Sequence, residues 1–216
     1  DHIWVEDGIV YSSVIGRKEP LKKGTPAQDA EVQGLCGSGL IDAVALMLDL
    51  GILNHRGRIQ KAYYGEEKNR IYAVTDQISL TQEDIREVQM AKGAIAAGIE
   101  LMLEELGITY EQVDRVVMCG AFGTYMNAKS AARIGLIPEK LLPKVSTGGN
   151  AAGMGCRQIT MDQKLFLLTD ELVRKIEPLD LASLPQFQRT FAKQMTFKEG
   201  SFRSCDLGGG VTDDIR

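Results

Sequence analysis

The chain has 216 residues, 44% hydrophobic and 25% charged, with a formal net charge of −4. That is enough apolar material to core one large domain or two small ones. The mild negative charge argues against nucleic acid or an anionic membrane surface as the main partner, and no apolar run approaches the length of a bilayer span.

Residues 2–15 alternate like strands on either side of Asp7-Gly8, a strong hairpin signal. Residues 16–33 are polar, with Pro20, Gly24 and Pro26, and read as loop. The turn Gly34-Leu35-Cys36-Gly37-Ser38-Gly39 opens an apolar helix from Leu40 to Leu50, with Ser38 expected as N-cap and Gly51 as the stop. Residues 54–69 are irregular, and 71–75 form a short strand. Thr81 caps the longest helix, which has acids in its first turn and ends at Gly107. Ile85, Val88, Ala91, Ile95, Ile99, Met102 and Leu106 mark its expected apolar face. Gly93, Ala94, Ala96, Ala97 and Gly98 thin its middle, which implies close approach of another element or a ligand. A strand at Val116–Met118 and a small helix near 127–133 follow. A turn at 135–138 leads to a strand at Lys144-Val145, and helices follow at about 150–160, 162–176 and 185–195. The order of elements is an α/β plan.

Two clusters carry the chemistry. Val116-Val117-Met118-Cys119 stops on Gly120-Ala121-Phe122-Gly123, and a second small-residue run spans Ser146 to Gly155. A buried strand that ends on glycine lets a flat ligand press against bare backbone. A glycine turn that opens a helix offers free N–H groups to an anion. Together they suggest a nucleotide between two strand-to-helix turns. The alternative is two tight turns that only pack helix on sheet. Cys36, Cys119, Cys156 and Cys205 are scattered, with no Cys-x-x-Cys pair, so zinc and ferredoxin frameworks are not expected and a reduced, cytoplasmic setting is. The only histidines, His2 and His55, are expected at the surface.

Residues 34–53, 78–103, 116–138 and 146–155 resemble one family, the reductive activators of corrinoid-dependent proteins. These belong to the actin, sugar-kinase and heat-shock ATPase superfamily (ASKHA). The run at 178–187 is similar to this family's ending, so the resemblance covers roughly Trp4 to Phe197. It implies an α/β, ribonuclease H-like ASKHA lobe: a mixed sheet with flanking helices and an inserted subdomain. Residues 1–200 would be the C-terminal lobe, divided into a hairpin and helix part (1–80) and a nucleotide-side part (81–200). Residues 201–216 would be a flexible tail. The lack of an initiator methionine at Asp1 fits a fragment.

The resemblance also implies an activity. Such proteins spend ATP, with Mg2+, to drive an electron from an iron–sulfur ferredoxin domain onto cob(II)alamin of a corrinoid protein. That restores cob(I)alamin. The lobe seen here would supply adenosine contacts and, by itself, little or no ATPase activity. A homodimer is also implied. Gly120, Ala121, Phe122 and Gly123 would flank adenine and ribose, while Gly148, Gly149 and Asn150 would form the second turn. Gln89 and Lys92 lie where relatives place a polar ribose contact, with a solvated helix lysine as the alternative for Lys92. Three other functions stay open: a sugar-kinase-like phosphotransferase, an activator of a radical acyl-CoA dehydratase or reductase, and a non-enzymatic docking or dimerisation module.

Two further signals are weaker. Residues 205–213, Cys-Asp-Leu-Gly-Gly-Gly-Val-Thr-Asp, look like a phosphate hairpin, yet the chain ends without a return strand, so a tail is expected. The Gly34–Gly39 turn is expected to serve packing. Glu83, Asp84, Glu104 and Glu105 do not converge as an acid–base pair must, and are expected to be solvated.

Overall fold

The computed structural model describes residues 1–24, 34–64, 71–74 and 78–199. The 201–216 tail, with its glycine-rich motif, lies outside the described residues. The architecture is α/β, and among the described residues the strands form three small sheets. Strands β1 (Ile3–Glu6), β2 (Ile9–Ser12) and β3 (Leu21–Lys22) form an antiparallel sheet. Asp7-Gly8 makes the first turn as expected, and Trp4 pairs with Tyr11 across it, their rings stacked at 5.8 Å. Strands β4 (Ile71–Ala73) and β5 (Ser79–Thr81) form an antiparallel pair, and β6 (Val116–Cys119) and β7 (Val145–Gly149) a parallel one.

Helix α1 (Gly37–Asp49) starts three residues earlier than expected. Its N-cap is Cys36, not Ser38. Ser38 sits inside the first turn and donates its hydroxyl to the carbonyl of Asp1 at 2.9 Å. Helix α2 (Gln82–Leu106) follows the sequence more closely. Thr81 accepts from the Asp84 N–H at 3.1 Å, and the Asp84 carboxylate accepts from the Thr81 N–H at 2.7 Å. Such a reciprocal box contributes about 1 kcal/mol.

The face that α2 buries differs from the expected one. Ile85 and Val88 are buried, but the inward stripe continues through Gln89, Lys92, Gly93, Ala96, Ala97 and Leu101. Ala91, Ile95, Met102 and Leu106 are exposed. The reason is helix α7 (Phe187–Gln194), which lies along α2. A Cβ on Gly93 would lie 3.1 Å from Met195 Cγ, so small residues are what permit the approach.

The described residues also form the α-helices α3 (Gly120–Tyr125), α4 (Ala128–Arg133), α5 (Ala151–Met161) and α6 (Gln163–Arg174). Asn127 caps α4, accepting from Lys129 N at 2.9 Å. One hydrophobic core joins Ile3, Val44, Met47, Ile85, Ile134 and Phe197, so residues on both sides of position 80 share it. Helices α5 and α6 pack on each other and bury no residue, leaving Phe166, Leu167 and Leu172 exposed. Among the described residues, no helix is long and apolar enough to cross a membrane.

Candidate functional site

Strands β6 and β7 run parallel and end side by side. Val116 pairs with Val145, Val117 with Ser146 and Met118 with Thr147. The register then slips, so that Cys119 pairs with Gly149. Beyond this bulge both chains turn sharply into helices, α3 from Gly120 and α5 from Ala151. Gly120 has φ +85° and Gly149 has φ +58°, in the left-handed region that favours glycine. A Cβ on either would meet nothing within 4 Å. The two corners are therefore bare main chain facing open space at the carboxyl ends of adjacent parallel strands, where α/β sheets bind ligands. Asn150 fixes the second corner, its Oδ1 accepting from Gly153 N at 3.0 Å.

The other glycines of the two clusters have a different task. A Cβ on Gly123 would lie 2.8 Å from the carbonyl carbon of Met118. One on Gly148 would lie 2.7 Å from Cys119 Sγ and 2.9 Å from Val117 Cγ1. Gly123 therefore lets α3 fold back onto β6, and Gly148 lets the two strands meet at the bulge. Strand β6 is less buried than the sequence suggested. Val117 is 46% exposed and Cys119 is exposed, because the two-stranded sheet leaves one face uncovered.

Ala121 lies in the first turn of α3 beside Phe122. Phe122 is 45% exposed, and one edge of its ring rests on Gly37 at the start of α1. The Gly34–Gly39 turn thus serves packing, as the sequence suggested: Gly39 packs against Asp1, and Gly37 packs against Phe122 of the candidate purine corner. Glycine spacing carried no signal for that neighbour.

Gln89 and Lys92 are engaged elsewhere. Gln89 Nε2 donates to the carbonyls of Met195 (3.0 Å) and Arg56 (3.3 Å). Lys92 Nζ donates to the Thr196 carbonyl at 2.5 Å and stands 5.4 Å from the centre of the Phe197 ring. Lys92 is 1% exposed, so it is not a solvated lysine. Burial, reinforced by repulsion from Lys198, pulls its pKa down to about 8. A ribose hydroxyl would have to displace a main-chain carbonyl to reach either side chain. The segment 195–198 that takes these bonds was not singled out from sequence, because a main-chain acceptor leaves no residue signature. The histidines are half-buried and paired: His2 Nδ1 with Asp42 Oδ2 (2.9 Å), and His55 Nδ1 with Glu199 Oε1 (2.8 Å).

Among the described residues no group of three His, Cys, Asp or Glu side chains could hold a metal ion. Cys36, Cys119 and Cys156 are free thiols. The corners supply bare backbone open to a flat ligand. They supply no carboxylate for Mg2+ and no thiolate cage for an iron–sulfur cluster.

The chain is similar to a group of known proteins. The family model for the C-terminal domain of RACo, the ASKHA domain, matches residues 6–206. The corrinoid activation enzyme RamQ of Eubacterium limosum is 29% identical over 217 residues, covering 91% of this chain and 35% of the relative. The [Co(II) methylated amine-specific corrinoid protein] reductase of Methanosarcina barkeri is 26% identical over 169 residues, covering 77% of this chain and 30% of the relative. A solved structure of a reductive activator for corrinoid, iron–sulfur protein superposes with a TM-score of 0.69 at 29% identity, covering 87% of this chain and 32% of its own. The chain thus spans about a third of the length of the relatives it matches.

Proposed function

Because this chain belongs to the family of RACo C-terminal ASKHA domains, we propose that it is the adenosine-binding lobe of an ATP-dependent activator. The activator would return the Co(II) form of a corrinoid protein to Co(I). The observation that supports this most directly is the pair of open glycine corners, Gly120 and Gly149, side by side at the ends of β6 and β7. Main chain without Cβ atoms lets a purine and its ribose approach at van der Waals distance. Phe122 offers an aromatic face for the base, and Asn150 holds the second corner in shape.

Magnesium and the triphosphate need carboxylates and a phosphate loop that the corners lack, so this reading assigns them to other parts of the protein. When bound, ATP would supply the energy for an uphill electron transfer from an iron–sulfur domain elsewhere in the protein. This chain's part is to bind the adenosine end and to favour one of two lobe arrangements by binding it more tightly. A cytoplasmic homodimer acting on a corrinoid protein completes the proposal.

Calorimetric titration of the chain with ATP, with and without Mg2+, tests it. Saturable binding without phosphate release is the expected result. Absence of binding, or ATP turnover by this chain alone, would overturn it.

A further inference from the structure

We infer that Gly37, the first residue of α1, is a positioning residue that sets the Phe122 ring and thereby the fit of the purine. The inference rests on the nucleotide reading above and goes beyond it by naming a residue from the hairpin side of the fold. A Cβ at Gly37 would lie 2.6 Å from Phe122 Cε2 and 2.8 Å from Cδ2, closer than carbon atoms can remain. Phe122 is 45% exposed. Its ring is the free end of a side chain, so the ring would yield before the backbone does. Gly37 needs no left-handed φ. Alanine would therefore strain nothing locally and would favour the helix. Its methyl group acts on one target, the ring.

The start of α1 is itself tied to the first hairpin. Ser38 Oγ donates to the Asp1 carbonyl at 2.9 Å, and Asp42 Oδ2 lies 2.9 Å from His2 Nδ1 and accepts from Ile3 N at 3.4 Å. Phe122 belongs to the helix that grows from the Gly120 corner. The Gly37–Phe122 contact is thus where the hairpin side bears on the purine corner. A displacement of α1 relative to β6 moves the ring, and the ring is what the base would stack on. The ligand class concerned is a purine nucleotide, because the wider base has more to lose when the platform turns away.

The experiment compares Gly37→Ala, Phe122→Ala and the double variant in calorimetric titrations with ATP and with CTP. Circular dichroism and thermal unfolding report the fold. Phe122→Ala is expected to weaken ATP binding roughly 5- to 150-fold, the range for loss of one base–aromatic stack. Gly37→Ala should keep the melting temperature, weaken ATP by at least about fivefold and lower the preference for ATP over CTP. The double variant should match Phe122→Ala alone, because without the ring the methyl group has nothing to push.

Gly37→Ala binding like the parent while Phe122→Ala does not would overturn the inference and leave the nucleotide reading standing. So would an added loss from Gly37→Ala in the Phe122→Ala background. Should Gly37→Ala fail to fold while the double variant folds, the ring is fixed instead of yielding, and the inference fails. If the parent binds no nucleotide, the nucleotide reading fails first and takes this one with it.

Discussion

Lys92 Nζ donates to the main-chain carbonyl of Thr196 at 2.5 Å, joining positions 104 apart in sequence. Gln89, one helical turn earlier, donates to the neighbouring carbonyl of Met195. Arg133 reaches Lys198 O at 3.3 Å, and Phe197 N donates to His55 O at 2.8 Å. Segment 195–198 is therefore gripped almost wholly by its backbone, with the Phe197 ring buried beneath.

This placement makes stability depend on pH in a definite direction. The folded-state pKa of Lys92 is about 8, against 10.5 for the free side chain. Below pH 8 the lysine is charged in both states, and the folded state bears the cost of burying the charge. As pH rises toward 10.5, the folded protein has shed the proton while the unfolded chain keeps it, so stability rises. The difference in unfolding free energy between the parent and Lys92→Met should shift in the parent's favour by on the order of 3 kcal/mol from pH 7 to 10.5. Urea titrations across that range check it; a constant difference would remove Lys92 from the argument.

Arg133 donates from Nε to Asp49 Oδ1 at 2.5 Å, with side chains 7% and 2% exposed. The pair joins α4 to the last turn of α1. Removing Arg133 breaks a buried ion pair. Arg133→Met should cost about 3–5 kcal/mol in chemical denaturation. Arg133→Lys, which keeps the charge but not the fork that also reaches Lys198 O, should fall between parent and Met.

The two glycines of α3 should separate folding from binding. Gly123→Val drives a side chain into the Met118 backbone and should destabilise by about 1–3 kcal/mol or more, whether or not nucleotide is present. Gly120→Ala meets no neighbour and bears only the strain of its positive φ, roughly 1 kcal/mol, yet it fills the space proposed for the ligand. Its ATP affinity should fall at least about tenfold while its melting curve moves little. Thermal unfolding run beside calorimetry distinguishes the two; equal binding by Gly120→Ala and the parent would take that corner out of the site.

Thr81→Ala removes one arm of the capping box that starts α2 and should lower stability by about 0.5–2 kcal/mol. Thr81→Ser should restore most of it, because the hydroxyl is retained. A melting temperature unchanged in the alanine variant would show that α2 is held by packing alone.

Local chemistry made much of the fold legible. Asp7-Gly8 needs only its own backbone to turn, Thr81 and Asp84 close a box within four residues, and the small-residue run after Cys119 marks where β6 stops, whereas the run from Ser146 carries β7 on to Gly149 before the chain turns. Such features depend on near neighbours, so the amino-acid order alone determined the hairpin, the long helix, the two glycine corners and the family resemblance. Tertiary structure alone decided which face of α2 turns inward, because α7 packs onto the Gly93–Ala97 side and leaves Met102 and Leu106 exposed. It also decided which glycines are free and which are filled. Gly120 and Gly123 look alike in sequence, but only the path of α3 across β6 places Met118 against one and open space beside the other. Contacts of this kind join residues far apart in the chain, and their energy resides in a geometry that no single stretch of sequence contains.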